Sequence, residues 1–386
     1  MLAVTTQDTH VVTVAKAAEL GPAAVTAAPA PDSTTAPAPA TTGATAPAPS
    51  AGSTMAPAPV PSPAPSSAGD VARTATAKAA APATTAPTLL PPINIPLLSP
   101  PPAPAPPAAT VPASAASAGG MAPYLGLGTW VDAYDWSVLF SKGNPTVGPG
   151  DIGRMVAAGV QTLYIQASKH DAPTDVLEPD LLQAIIDGAH ARGIRVVVWY
   201  LPTLVDTGAD LRRLKAVAGL RNVDGIAVDI EARNVADVAE RNRRLIDLSG
   251  ALRRALPGRT IGGIVLPPVV MEVVNPKFWP GFPYRDIAPF YDVWMTMGYW
   301  TNRTNASGYR DAYKYTKENV DRLRNNLGQP NAPVHPIGGI GNRTSAADVE
   351  GFKRAVTAVH GIGGSIYDWQ TTAGPLWDNL RAMRLR

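Results

Sequence analysis

Asp229 and Glu231 stand two residues apart at the end of a short apolar run, Val223-Asp224-Gly225-Ile226-Ala227-Val228-Asp229-Ile230-Glu231. On an extended strand, residues at i and i+2 share a face, with Cα atoms ~6.5–7 Å apart. Two carboxyls so placed raise the cost of ionising each other, and one stays protonated near neutral pH. A protonated carboxyl beside an ionised one is what acid-catalysed cleavage of a glycosidic bond requires. Glu231, nearer the end of the run and longer in reach, is assigned as the acid/base, and Asp229 as its partner. The competing assignment is a rim salt bridge with Arg233 or another basic residue.

Such a pair needs a scaffold, and the flanking sequence specifies one. From residue 124 onward, short apolar runs alternate with helical stretches, the pattern of a parallel sheet with crossover helices. Strands are expected at 125–132, 161–168, 195–201, 225–231, 260–266, 292–299, 334–340 and 364–369. Helices are expected at 180–191, 235–255, 312–326 and 346–360 among others, with Gly193, Gly258 and Gly361 as left-handed caps. Eight such units close a (β/α)₈ TIM barrel. Along the fourth strand Ile226, Val228 and Ile230 would face the outer helices, and Gly225, Ala227, Asp229 and Glu231 the interior. The acids come last, at the C-terminal rim where barrel enzymes keep their chemistry.

Composition divides the chain. Residues 1–120 are mainly Ala, Pro, Thr and Ser, too poor in apolar side chains to offset the entropy of ordering. They are expected to form a disordered spacer or stalk, with 89–98 (LLPPINIPLL) as its most apolar part. All eight Trp lie in 121–386, whose ~265 residues match the ~250 of one barrel. The net charge is +3 with basic residues scattered over helices, so no nucleic-acid partner is expected. Without cysteine there are no disulfides or thiolate metal sites, and no 18-residue apolar run spans a membrane. The first residues lack the basic start and apolar stretch of a standard signal peptide, yet the spacer is typical of secreted or cell-envelope proteins. A monomer without cofactor, acting on a carbohydrate polymer, is the expectation.

Further candidates surround the acids. Trp130, Tyr200, Trp300 and Trp369 fall at strand ends, where aromatic faces could stack on sugar rings. Gln166 and Asn302 could add hydrogen bonds, and Asp132 or Asp368 a second rim carboxylate. The segment Lys277-Phe278-Trp279-Pro280-Gly281-Phe282-Pro283-Tyr284 reads equally as a cleft wall or as local core. No H-x-H or H-E-x-x-H pattern occurs, so no metal is expected. His335, at the start of the seventh strand, reads as structural, and His170 as a minor rim candidate. Strand 7 ends Gly338-Gly339-Ile340-Gly341 without a carboxylate, which sets aside glycosidases with a strand-7 nucleophile. Those glycines, with Gly363-Gly364-Ser365, motivate a rival reading as a phosphate-binding metabolic barrel.

The strand-4 run resembles the signature of family 18 glycoside hydrolases, the chitinase-like enzymes, except that Ala227 stands where that family has its first acid. Met297-Gly298-Tyr299 and Trp369 are similar to its strand-6 and strand-8 elements. The resemblance implies that an N-acetyl group of the substrate acts as nucleophile, assisted by Asp229 and Tyr299, with Trp369 under the sugar. Asp132, followed by Asp135-Trp136, and Trp369-Gln370 resemble elements of family 25 lysozymes. The overall pattern also resembles uncharacterised barrel proteins of actinobacteria. Ala227 motivates the alternative of a glycan-binding barrel without catalysis.

Overall fold

The structure, a computed structural model, describes residues 120–384. The segment expected to be a spacer, including 89–98, lies outside the described residues. Eight strands form one parallel sheet: β1 (Gly126–Val131), β2 (Thr162–Gln166), β3 (Arg195–Tyr200), β4 (Gly225–Ile230), β5 (Ile261–Val265), β6 (Val293–Thr296), β7 (Ile337–Ile340) and β8 (Gly363–Tyr367). Their order is β6-β5-β4-β3-β2-β1-β8-β7, with helices between successive strands. Nearly every strand residue is buried, because helices cover one face and the barrel interior the other. The expected (β/α)₈ barrel is therefore the observed fold. No described helix is long and apolar enough to cross a membrane.

The barrel closes between β6 and β7 through single bridges, Trp294 to Val334 and Met297 to Ile337. Three backbone hydrogen bonds hold this seam: Trp294 N to Pro333 O (2.9 Å), His335 N to Trp294 O (2.8 Å) and Gly298 N to Ile337 O (2.7 Å). A Cβ at Gly298 would collide with the Ile337 carbonyl oxygen, so the close approach requires glycine there. The seventh strand is shorter than the expected 334–340. Pro333 and Pro336 have no N–H to give to the ladder, so only an isolated bridge precedes Ile337. The sixth is shorter too, because Met297 to Tyr299 leave the sheet for the seam.

Local sequence explains the helix ends. The helix Val238–Ala255 begins three residues later than expected because Asp237 caps it, its side chain accepting from Glu240 N. Gly193 and Gly258 take the left-handed conformation as expected. Gly361 does not: His360 adopts it instead (φ +49°), while a Cβ at Gly361 would press on Val356.

The interior is filled from the bottom. Tyr124 is fully buried and its hydroxyl donates to the Ile226 carbonyl (2.7 Å). His335 lies 2.8 Å through Nδ1 from the Tyr124 carbonyl, which can only accept, so Nδ1 carries the hydrogen. Nε2 then accepts from Ser365 Oγ (3.1 Å), and that oxygen accepts from Trp130 Nε1 (2.7 Å). Burial lowers the His335 pKa to about 4, which keeps the ring neutral and this chain intact. His335 is structural, as its place in the sequence suggested. Ser365→Ala strands both the Trp130 N–H and His335 Nε2. It is expected to cost about 1–3 kcal/mol in denaturant unfolding, and an unchanged midpoint would show that the chain contributes nothing.

Candidate active site

Residues from seven of the strands, and Met297 and Tyr299 just past β6, line one cleft of about 270 Å³ at the C-terminal end of the barrel. Trp130, Trp199, Ile264, Met297 and Ile337 make its apolar floor and sides. Asp229, 7% exposed, projects inward from β4, and Glu231 follows just beyond the strand at the partly exposed mouth. The inward parity expected of strand 4 thus holds for both acids. Arg233, the competing partner, instead donates to the Phe278 carbonyl (3.2 Å) and lies 4.2 Å above the Phe278 ring.

Asp229 Oδ1 is buried and has no hydrogen-bond partner. Burial first, and then the Glu231 charge, push the Asp229 carboxyl well above the usual carboxylate range. Burial alone raises Glu231 to about 7. Near neutral pH the pair therefore retains protons that ordinary carboxyls would release.

Ala227 has a structural counterpart. Its methyl lies near Gly262, and a Cβ on Gly262 would meet Met295 and Tyr124 as well. Apolar and aromatic atoms thus occupy the barrel at the level where a lower acid would project. Asp229 rests on an apolar base, which is the desolvation that raises it.

Asp132, 4% exposed, enters the cleft from the end of β1. It accepts from Tyr134 N (2.9 Å) and from the Tyr367 hydroxyl (2.8 Å). The Tyr299 and Tyr367 rings meet edge to face at 5.7 Å and both line the cleft. Burial, then Glu231, Asp229, Asp368 and Asp132, keep the Tyr299 phenol protonated far beyond its ordinary range. Its hydroxyl therefore keeps its hydrogen at any ordinary pH. Behind Asp132 lie Asp135 and Asp368, with carboxylate oxygens of all three within 4.8 Å of one another. That spacing suits a cation, and it also suits a shared proton. Burial, then the Asp132 and Asp368 charges, push Asp135 well above the usual range.

The structure brings Asp229, Glu231, Asp132, Tyr299, Trp130 and Gln166 to the cleft. Gln166 Oε1 accepts from Ala133 N (2.9 Å), tying β2 to the turn after β1. Asp368 stands behind the wall, and three aromatics lie elsewhere. Tyr200 points outward and donates to Asp210 (2.6 Å). Trp300 alternates with inward Tyr299, is fully buried, and packs on Phe352 (5.4 Å). Trp369 comes after β8 has ended and packs on Trp377 (5.2 Å), away from the cleft. Asn302 accepts from Arg343 (2.8 Å), while His170 is exposed at the cleft edge.

Sequence reasoning missed Trp199, Tyr367 and Lys169. Tyr299 and Trp369 both lie beyond the last residues of their strands, where alternation no longer sets direction, so it does not single out Tyr367. In Arg-Val-Val-Val-Trp-Tyr of β3 nothing alternates, so only the pairing of Trp199 with Ala227 reveals its parity. The loop after β5 is local core: Trp279 is 1% exposed, donates to Asn242 (2.7 Å) and lies under Arg241. The phosphate reading fails on packing. Cβ atoms at Gly338 and Gly339 would meet Trp300, and one at Gly363 the Gly126 backbone, so these glycines admit neighbours rather than an anion.

No protein-family model matches the chain. No curated protein sequence matches it. Among solved structures, it is similar to the spore cortex-lytic enzyme SleL of Bacillus cereus, with a TM-score of 0.50 and 11% identity over 68% of this chain and 74% of that one. It is also similar to a class V chitinase of Pseudomonas fluorescens Pf-5, with a TM-score of 0.48 and 12% identity over 67% and 99%. At such identity the likeness to the first of these establishes the shared barrel fold and nothing more.

Proposed function

We propose that this protein is a glycoside hydrolase that cleaves a polysaccharide bearing N-acetylated sugars, such as a cell-wall glycan. The observation that carries the reading is a pair of buried, unpartnered polar atoms among the residues that line the cleft. Trp199 Nε1 offers a donor and Asp229 Oδ1 an acceptor, and both are buried without hydrogen bonds. A buried polar atom left unpaired costs about 1–3 kcal/mol, which a matching ligand recovers. An acetamido group has a carbonyl for the Trp199 N–H, an N–H for Asp229 and a methyl for Ile264 or Met297. Whichever Asp229 oxygen carries the proton, the other still accepts.

In this reading Glu231 gives its proton to the glycosidic oxygen as the C1–O bond breaks. The acetamido oxygen attacks C1 and forms an oxazolinium ion, whose N–H Asp229 holds. Tyr299 donates to the same group. The Glu231 carboxylate then removes a proton from water, which adds to C1 and restores the amide with net retention. The missing strand-7 carboxylate supports assistance by the substrate over a protein nucleophile. The fold shared with a cortex-lytic enzyme supports a glycan substrate, and the Pro/Thr/Ala-rich composition of residues 1–120 supports work outside the cell or at its envelope.

The test compares oligosaccharides of N-acetylglucosamine with glucose oligosaccharides of the same linkage, following reducing ends and product anomer. Cleavage of the acetylated series at least tenfold faster, with retention, is expected. Equal rates on both, or inversion, would remove the assisted mechanism. Ala227 favours a second reading, a glycan-binding barrel without catalysis, and binding with no new reducing ends would select it.

A further inference from the structure

We infer that the leaving-group side of the substrate lies across the loops that follow β2, β3 and β4, with Asn234 and Thr203 reading its hydroxyls. This rests on the glycoside-hydrolase reading and adds a direction and a specificity surface to it.

Among the described residues, the cleft lining rises above the strand ends on one side. Above the strand ends, its lining comes from Lys169 and His170 after β2, Leu201 and Thr203 after β3, and Ala232 and Asn234 after β4, with Tyr134 after β1. On the β5 to β8 side, the lining stops near the strand ends at residues such as Tyr299 and Tyr367. The loops there turn away, as Trp279, Trp300 and Trp369 show by packing on helices.

The position of the acid then orients the substrate. Glu231 must lie within about 2.6–3.2 Å of the glycosidic oxygen it protonates. The groups that answer charge at the reacting ring, namely Asp229, Tyr299 and Asp132, lie deeper or across the barrel axis. The ring being cleaved therefore sits among them, and the departing sugar passes outward over Glu231 onto the walled side.

That wall is braced from below. Arg213, 9% exposed, donates to the carbonyls of Ala172 (3.1 Å), His170 (3.3 Å) and Lys169 (3.3 Å). Arg244 donates to the carbonyls of Leu204 (2.9 Å) and Val205 (2.8 Å), while Asp210 accepts from Leu204 N (3.0 Å). Loops held this way lose little freedom when a ligand lands on them. The lysine at its edge is matched by Asp171, which both Nζ contacts reach (2.7 and 2.9 Å). The surface between is neutral and polar, with exposed Asn234, half-buried Thr203 and the Leu201 side chain between them and the floor. Amide, hydroxyl and aliphatic face together suit an uncharged sugar ring.

Two substrates with the same N-acetylated sugar at the reacting position test this: a tetrasaccharide, and a 4-methylumbelliferyl glycoside whose leaving group has no sugar hydroxyls. Asn234→Ala and Thr203→Val are each expected to raise KM for the tetrasaccharide about five- to tenfold, the equivalent of one hydrogen bond. The kcat on that substrate and both constants on the aryl glycoside should stay within about twofold. Equal losses on both substrates, or no loss on either, would overturn the inference while leaving the glycosidase reading in place. Failure of the unaltered protein to cleave either substrate would instead overturn the glycosidase reading and the inference with it.

Discussion

Glu231→Gln should lower kcat/KM on an N-acetylated oligosaccharide by at least about 10²-fold, because glutamine keeps the shape and loses the proton. Unaltered turnover in the variant would refute the assignment. The pH dependence of the unaltered protein gives an independent check. Glu231 donates only while protonated, and burial raises it to about 7. The kcat/KM should therefore fall about tenfold per pH unit above about 7, and remain on a plateau for some distance below. Stability has its own sign. An exposed glutamate in the unfolded chain ionises near 4.5, whereas the folded protein holds the proton to about 7. The contribution of this group is fully present below 4.5 and is lost as pH rises to about 7. Above pH 7 a neutral glutamine escapes that loss, so Glu231→Gln should melt no lower than the parent. A variant that is inactive and also unfolded at pH 8 would break this expectation, since an acid with a functional role is bought here at the expense of stability.

Gly298→Ala is the substitution expected to damage the fold most. Its Cβ would occupy the space of the Ile337 carbonyl oxygen at a seam held by three backbone hydrogen bonds. Relief requires β6 and β7 to part, and about 2–3 kcal/mol or more should be lost in denaturant unfolding. Tyr299 is the next residue, so the cleft should loosen at the same time. Gly153→Ala supplies the control. It lies in the helix Asp151–Ala158 with nothing near its added Cβ, and is expected to be neutral or to gain about 0.5–1 kcal/mol. Equal effects at the two glycines would mean that the seam tolerates separation.

Much of this protein is legible one residue at a time. The alternation of Gly225, Ala227, Asp229 and Glu231 against Ile226, Val228 and Ile230 sets which face of β4 is inside, because a period of two is a property of the extended chain itself. The eight strand-helix units follow from local periodicity, and so does the prominence of the two acids. The strand-8 neighbourhood is different. Asp368 and Trp369 lie beyond the last ladder residue, Tyr367, and once a chain leaves the sheet its alternation no longer predicts direction.

What the sequence determined by itself was the barrel, the inward pair at the end of the fourth strand and the absence of an acid at Ala227. Only the tertiary structure decided that Tyr367 and Trp199 face the cleft while Tyr200, Trp300 and Trp369 do not. It also decided that an apolar base of packed side chains, rather than a lower carboxyl, raises Asp229. The physical reason is that periodicity is encoded along one segment, whereas burial, desolvation and electrostatic coupling depend on which segments meet. Strand register around a closed sheet sets those meetings, and no single segment contains it.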